Sequence, residues 1–111
     1  MKKAYRIKKN SEIESLMKQR QSVGDGFFAL YHIRNSQHEH FRYAISVPKK
    51  FGSAIARNQA KRRIREIVRK LTLPNNVDFF VVIKPKANTL NFWEMKEILY
   101  KLFARAKIIE G

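Results

Sequence analysis

Residues Val77 to Ile83 constrain this chain more than any other stretch, because every position but Asp78 is apolar. A strand with one wet face alternates apolar and polar residues, whereas an unbroken apolar run suits a central strand covered on both faces. The rest of the chain must supply the covers. With 111 residues, 44% hydrophobic and 12% aromatic, it has material for one modest core and reads as a single domain over residues 1–111. A disordered basic tail would be poorer in both classes.

The remaining elements follow from periodicity and breakers. Asn10 to Arg20 reads as a helix, with Ser11 and Glu14 spaced as a capping box and Ile13, Leu16 and Met17 on one face. Gly24 and Gly26 break the pattern. Phe27 to Ile33 and Arg42 to Val47 read as strands, joined by a polar turn over residues 35–40, and predict an antiparallel hairpin. Pro48 ends the second strand. Residues 53–71 predict a helix, residues 72–76 a turn, and Asn91 an N-cap for a last helix to about residue 107. In that helix Phe92, Met95, Ile98, Leu99, Leu102, Phe103 and Ala106 share one side, while Trp93 and Tyr100 fall together elsewhere. The expected fold is α+β, with element order α-β-β-α-β-α and helices packed on one small sheet.

Lys and Arg number 24 against 9 Asp and Glu, a formal charge of +15. Such an excess attracts polyanions, so nucleic acid or an anionic membrane is the expected partner. Membrane binding needs a free apolar helix face. Here those faces are needed for the core, so nucleic acid is favoured and no membrane partner is expected. The absence of cysteine removes disulfides, thiol nucleophiles and thiolate zinc sites. No apolar run approaches the roughly 20 residues of a membrane span, and no signal-peptide stretch follows the basic start, so a soluble cytoplasmic protein is expected.

The densest positive feature is residues 49–70, where Glu66 is the only acid. On a helical wheel Ala56, Ala60, Ile64, Ile67, Val68 and Leu71 gather in an arc of about 120°. Arg57, Asn58, Lys61, Arg62, Arg65 and Arg69 fill the adjoining arc; Arg63 and Lys70 lie apart, beside Gln59 and Glu66. Arg57, Lys61, Arg65 and Arg69 form an i,i+4 ladder of like charge, which costs a few tenths of a kcal/mol per pair and suits a phosphate-backbone reader.

The segment Lys49 to Glu66 resembles the signature of the bacterial ribonuclease P protein subunit, whose Arg-Asn-x-x-Lys-Arg-x-x-Arg pattern is met by Arg57, Asn58, Lys61, Arg62 and Arg65. Ser46-Val47-x-Lys49-Lys50-x-Gly52, the opening Tyr5 to Asn10 and Phe28-x-x-Tyr31 extend the resemblance over essentially the whole chain. It implies an α-β-β-α-β-α sandwich with a left-handed βαβ crossover, an exception to the usual hand. It further implies an accessory subunit of an endoribonuclease holoenzyme, in which an RNA subunit removes the 5′ leader of precursor tRNA with Mg²⁺. This chain would bind that RNA through the signature helix, with Lys49 and Lys50 as further contacts. It would hold the leader in a cleft mapped onto Ile13, Met17 and Tyr31, with Lys84 and Lys86 nearby. Ile13 and Met17 stand where the family often has Phe, so they offer apolar contact without stacking, and Asp25-Gly26 replaces a common Asn-Arg. The protein is expected to be monomeric within the ribonucleoprotein, with dimerisation of the holoenzyme left open.

Chemistry on the chain itself is not expected. The acids are dispersed, His32 reads as sheet packing, and His38-x-His40 lacks a third metal ligand nearby. No catalytic residue and no protein-bound metal or cofactor are therefore expected. A non-catalytic structural RNA binder and a stand-alone metal nuclease are the competing readings.

Overall fold

The structure, a computed structural model, describes residues 5–7, 10–18, 21–34 and 40–109. Three helices, α1 (Asn10–Lys18), α2 (Ala54–Lys70) and α3 (Phe92–Arg105), pack on a sheet of four strands. These are β1 (Ser22–Gly24), β2 (Phe28–Arg34), β3 (Arg42–Ser46) and β4 (Val77–Ile83), in spatial order β1-β2-β4-β3. β4 pairs antiparallel with β2 and parallel with β3, so β3-α2-β4 is a βαβ unit within a mixed sheet.

The hairpin predicted between Phe27–Ile33 and Arg42–Val47, now β2 and β3, does not form: β4 lies between them. The reason is burial. Val77, Phe79, Val81 and Ile83 face the core shared by α2 and α3, while Phe80 faces a second cluster with Ile7, Leu16 and Ala44. A strand apolar on both faces gains most at the centre, where neighbours also satisfy both of its hydrogen-bonding edges. The short strand β1, which adds to β2, is not expected from the sequence either; Ser22-Val23-Gly24 is too short to show a period.

Each helix is seated by its apolar stripe. Ala60, Ile64, Ile67 and Val68 of α2 are buried, as are Met95, Leu99, Leu102 and Phe103 of α3. Phe103 meets the Phe79 ring edge-on, centroids 5.2 Å apart. The Asn91 cap forms as predicted, within a full capping box closed by Glu94. Ser11, by contrast, lies inside the first turn of α1, which already begins at Asn10. The polar turn expected over 35–40 lies outside the described residues except for His40.

α1 covers the opposite face of the sheet and is held there by charge as well as packing. The Arg42 guanidinium donates to the Asp78 carboxylate at 2.7 Å and reaches Glu12 of α1 at 3.4 Å. Register places Arg42 directly opposite Asp78. Asp78 is the one buried charged residue among those described, and its hydrogen bonds hold the Arg42 guanidinium above its ordinary pKa.

Replacing Arg42 by Ala removes the countercharge of a buried carboxylate, which is expected to cost about 3 kcal/mol in urea unfolding. The double variant Arg42→Ala/Asp78→Asn is expected to recover part of that loss. Burial, reinforced by Arg34, holds the His32 imidazole below its ordinary value of 6.5. Between pH 6.5 and that lower value the unfolded chain binds more protons, so stability falls as pH drops through this window. His32→Gln is expected to flatten the fall in melting temperature there.

Candidate nucleic-acid interface

The local sequence fixes where α2 starts and which way it faces. Ser53 caps it, its hydroxyl accepting from the Ala56 amide at 3.1 Å, and no acid occupies the first turn. With the stripe through Ala60, Ile64 and Ile67 against the sheet, the basic arc is directed away from the core. Arg57, Lys61 and Arg65 are half-buried along its edge, and Asn58, Arg62 and Arg69 are exposed. Among the described residues no ion pair engages Arg57, Lys61, Arg62 or Arg65. The Nε atoms of Arg57 and Arg65 are buried without a hydrogen-bond partner. A buried donor in that state costs free energy until an acceptor arrives.

The ladder is relieved only at its last rung. Arg69 donates to Glu66 at 2.6 Å and Lys70 sits 3.6 Å from the same carboxylate, which the Arg69 hydrogen bond holds below its ordinary pKa. Arg63 stands apart from the arc: its guanidinium donates to the Leu90 carbonyl at 3.3 Å, tying α2 to the approach to α3. Lys49 and Lys50 are exposed on a 3-10 turn (Lys49–Phe51) just before the helix.

A cavity of about 540 Å³ is bounded by α1, β3 and the basic face of α2. Ile13 and Phe80 form part of its apolar wall, Lys61 and Arg65 its cationic wall, and Arg6 and Asn10 its rim. Tyr31 lies on the same face of the sheet, stacked on Phe80 with centroids 6.3 Å apart, but does not itself line the cavity. Met17 is 46% exposed on α1 and does not line the cavity. Lys84 and Lys86 are not brought to it either. The Lys84 ammonium donates to the Asp25 carbonyl, and Lys86 sits over the Phe27 ring at 5.4 Å. Both are gathered at the turn where the Asp25 carboxylate accepts from the amides of Phe27 and Phe28.

Sequence reasoning missed Arg6 and Asn10 as part of this cavity, and it missed Arg42 as the residue that anchors one wall. Asp78 was the available signal, since a charge inside an apolar strand needs a buried cation. His38 lies outside the described residues, and His40 Nδ1 sits 2.9 Å from the Phe41 carbonyl oxygen. No group of three or more metal-ligating side chains occurs among the described residues, and none of their helices is long and apolar enough to cross a membrane.

Apart from Arg69 the cationic arc has no ion pair among the described residues, and it borders a groove of mixed polar and apolar lining, so the molecule is a basic α+β protein with one cationic helix face. The ribonuclease P family model matches residues 1–107. The ribonuclease P protein component of Acholeplasma laidlawii is 43% identical over 99% of this chain and 96% of its own length. That of Levilactobacillus brevis is 38% identical over 100% and 96%. Among solved structures, the RNase P protein of Staphylococcus aureus superposes with a TM-score of 0.86 at 36% identity, covering 96% of this chain and 98% of that one. The Thermotoga maritima protein gives 0.80 at 29% identity over 96% and 98%. The chain belongs to the ribonuclease P protein component family.

The salt slope of single-stranded RNA binding should fall by about 0.7 for each phosphate the protein no longer neutralises. Arg57→Ala and Arg65→Ala are each expected to show a drop of that size in a fluorescence-anisotropy salt titration. Arg63→Ala, which removes a bond to Leu90, is expected to lower the melting temperature and leave the slope unchanged.

Proposed function

We propose that this chain is the protein subunit of a ribonuclease P holoenzyme, binding the catalytic RNA and the 5′ leader of precursor tRNA while the RNA subunit cuts the leader off. The observation that carries this reading is the shared wall of the groove: Lys61 and Arg65, both free of internal ion pairs among the described residues, belong to the basic arc of α2 and also line the cavity against α1. The arc therefore offers phosphate-binding groups to a folded RNA on its outer side. On its inner side it offers two cations to a single strand lying over Ile13 and Phe80.

The division of labour follows from the side chains. Arg57, Arg62 and Arg65 present forked donors to phosphate oxygens, and Lys61 a point charge. Asn58, exposed between them, can donate to and accept from a sugar hydroxyl, a base edge or the water shell of a bound Mg²⁺. The Mg²⁺ ions would belong to the RNA. In the leader groove Ile13 and Phe80 give apolar contact, and Tyr31, stacked on Phe80 outside the cavity's lining, would offer its ring to a strand that runs on past Phe80. Lys84 and Lys86 would meet only a leader long enough to reach the Asp25 turn.

Adding the protein to bacterial ribonuclease P RNA at low Mg²⁺ is expected to raise single-turnover cleavage of precursor tRNA at least tenfold over RNA alone. The gain should shrink as the leader is shortened. No gain at any leader length would contradict the proposal. Equal binding of leader-bearing and leaderless tRNA would favour a structural RNA binder instead.

A further inference from the structure

A second cavity, of about 630 Å³, lies on the other flank of Arg65 and takes no part in the leader groove. Its volume falls within the roughly 300–1,000 Å³ typical of ligand sites. One wall is aromatic: Tyr5, Phe41 and Tyr43 follow one another with centroid separations of 4.9 and 6.1 Å. That wall is anchored, because Tyr43 stacks on the buried Phe79 at 5.0 Å with the rings 7° from parallel. The facing wall is α2, which contributes Arg62, Arg65 and Arg69 around Val68 and Glu66. Arg62 has no ion pair among the described residues. Arg69 is held only by an exposed pair with Glu66, of a kind worth little in water.

We propose that this cavity is a pocket for one unpaired nucleotide of an RNA, with the base against Tyr5 and Phe41 and its phosphate on Arg62 and Arg69. Flat rings beside forked guanidinium donors match a nucleotide in both parts, stacking for the base and bidentate hydrogen bonding for the phosphate. An acidic peptide would satisfy the arginines but leave the rings unused. Glu66, once Arg69 turns to the phosphate, becomes an acceptor for an exocyclic amino group of the base. Arg65 separates this pocket from the leader groove, so one helix would grip two strands of RNA on either side of a single guanidinium. The inference rests on RNA being the partner, and goes beyond that reading by naming a site for a single flipped base.

Titration of the full-length protein with adenosine monophosphate, followed by NMR, tests the pocket directly. Ring signals of Tyr5, Phe41 and Tyr43 are expected to shift together with the guanidinium signals of Arg62 and Arg69. Inorganic phosphate should move the arginines alone. Loss of a stacking ring in Phe41→Leu is expected to weaken the nucleotide at least fivefold. Tyr5→Leu, at the edge of the fold, serves the same end should Phe41→Leu fail to fold. Rings that stay still, or that respond equally to phosphate, would overturn the pocket. Failure of the wild-type protein to bind ribonuclease P RNA would overturn the RNA reading instead, and is seen separately by anisotropy.

Discussion

The seating of α2 decides most of what this molecule can do. Burying Ile64, Ile67 and Val68 is worth about 1.5–3 kcal/mol for each side chain. The like-charge ladder on the adjoining face costs only a few tenths of a kcal/mol per pair. Packing therefore wins by a wide margin, and it fixes the rotation of the helix about its own axis. Once that rotation is fixed, Lys61 and Arg65 line the groove between α1 and β3. Arg65 also lines the cavity on its other flank, and Arg57 lies half-buried one turn before Lys61 on the same face. A repulsion that the fold tolerates becomes attraction for a phosphate chain.

The walls of those grooves depend on a second constraint, the buried charge on β4. Asp78 sits where the strand is otherwise apolar, and the Arg42 guanidinium from β3 answers it. The same guanidinium reaches Glu12, so α1 is fastened to the sheet by a contact that also sets how far the helix stands from β3. Structure and site are linked here through one cation, which contacts no expected ligand and still shapes the space in which a ligand would lie.

Helix positions were legible because their periods are strong: the stripes through Ala60, Ile64 and Ile67, and through Met95, Leu99 and Phe103, are the ones buried. Strand order was not. Two neighbouring strand-forming segments, one rich in aromatic and branched residues and one alternating, suggest a hairpin, and only the long-range gain from placing β4 between them reverses that choice. For the candidate interface, the arc on α2 follows from the wheel, and the structure brings Ile13 to the groove together with Lys61 and Arg65. Arg63 and Lys84 are held by partners distant in the chain, the carbonyls of Leu90 and Asp25, which a wheel does not weigh, and Arg69 is held by Glu66 three residues before it on α2. Tyr5 and Phe41 lie far apart in the chain, and their wall exists only because the segment at Arg6 pairs with the edge of β3.

The protein contains no cysteine, so single cysteines can carry a cleavage reagent without background. A hydroxyl-radical probe attached at Arg62→Cys, on the exposed rim of the basic arc, should cut ribonuclease P RNA at a few discrete positions in the assembled particle. The same probe at Lys101→Cys, on the exposed side of α3, should leave that RNA intact. Strong cutting from α3 with none from α2 would contradict the account, because the helix would then be turned away from the RNA it is held to meet.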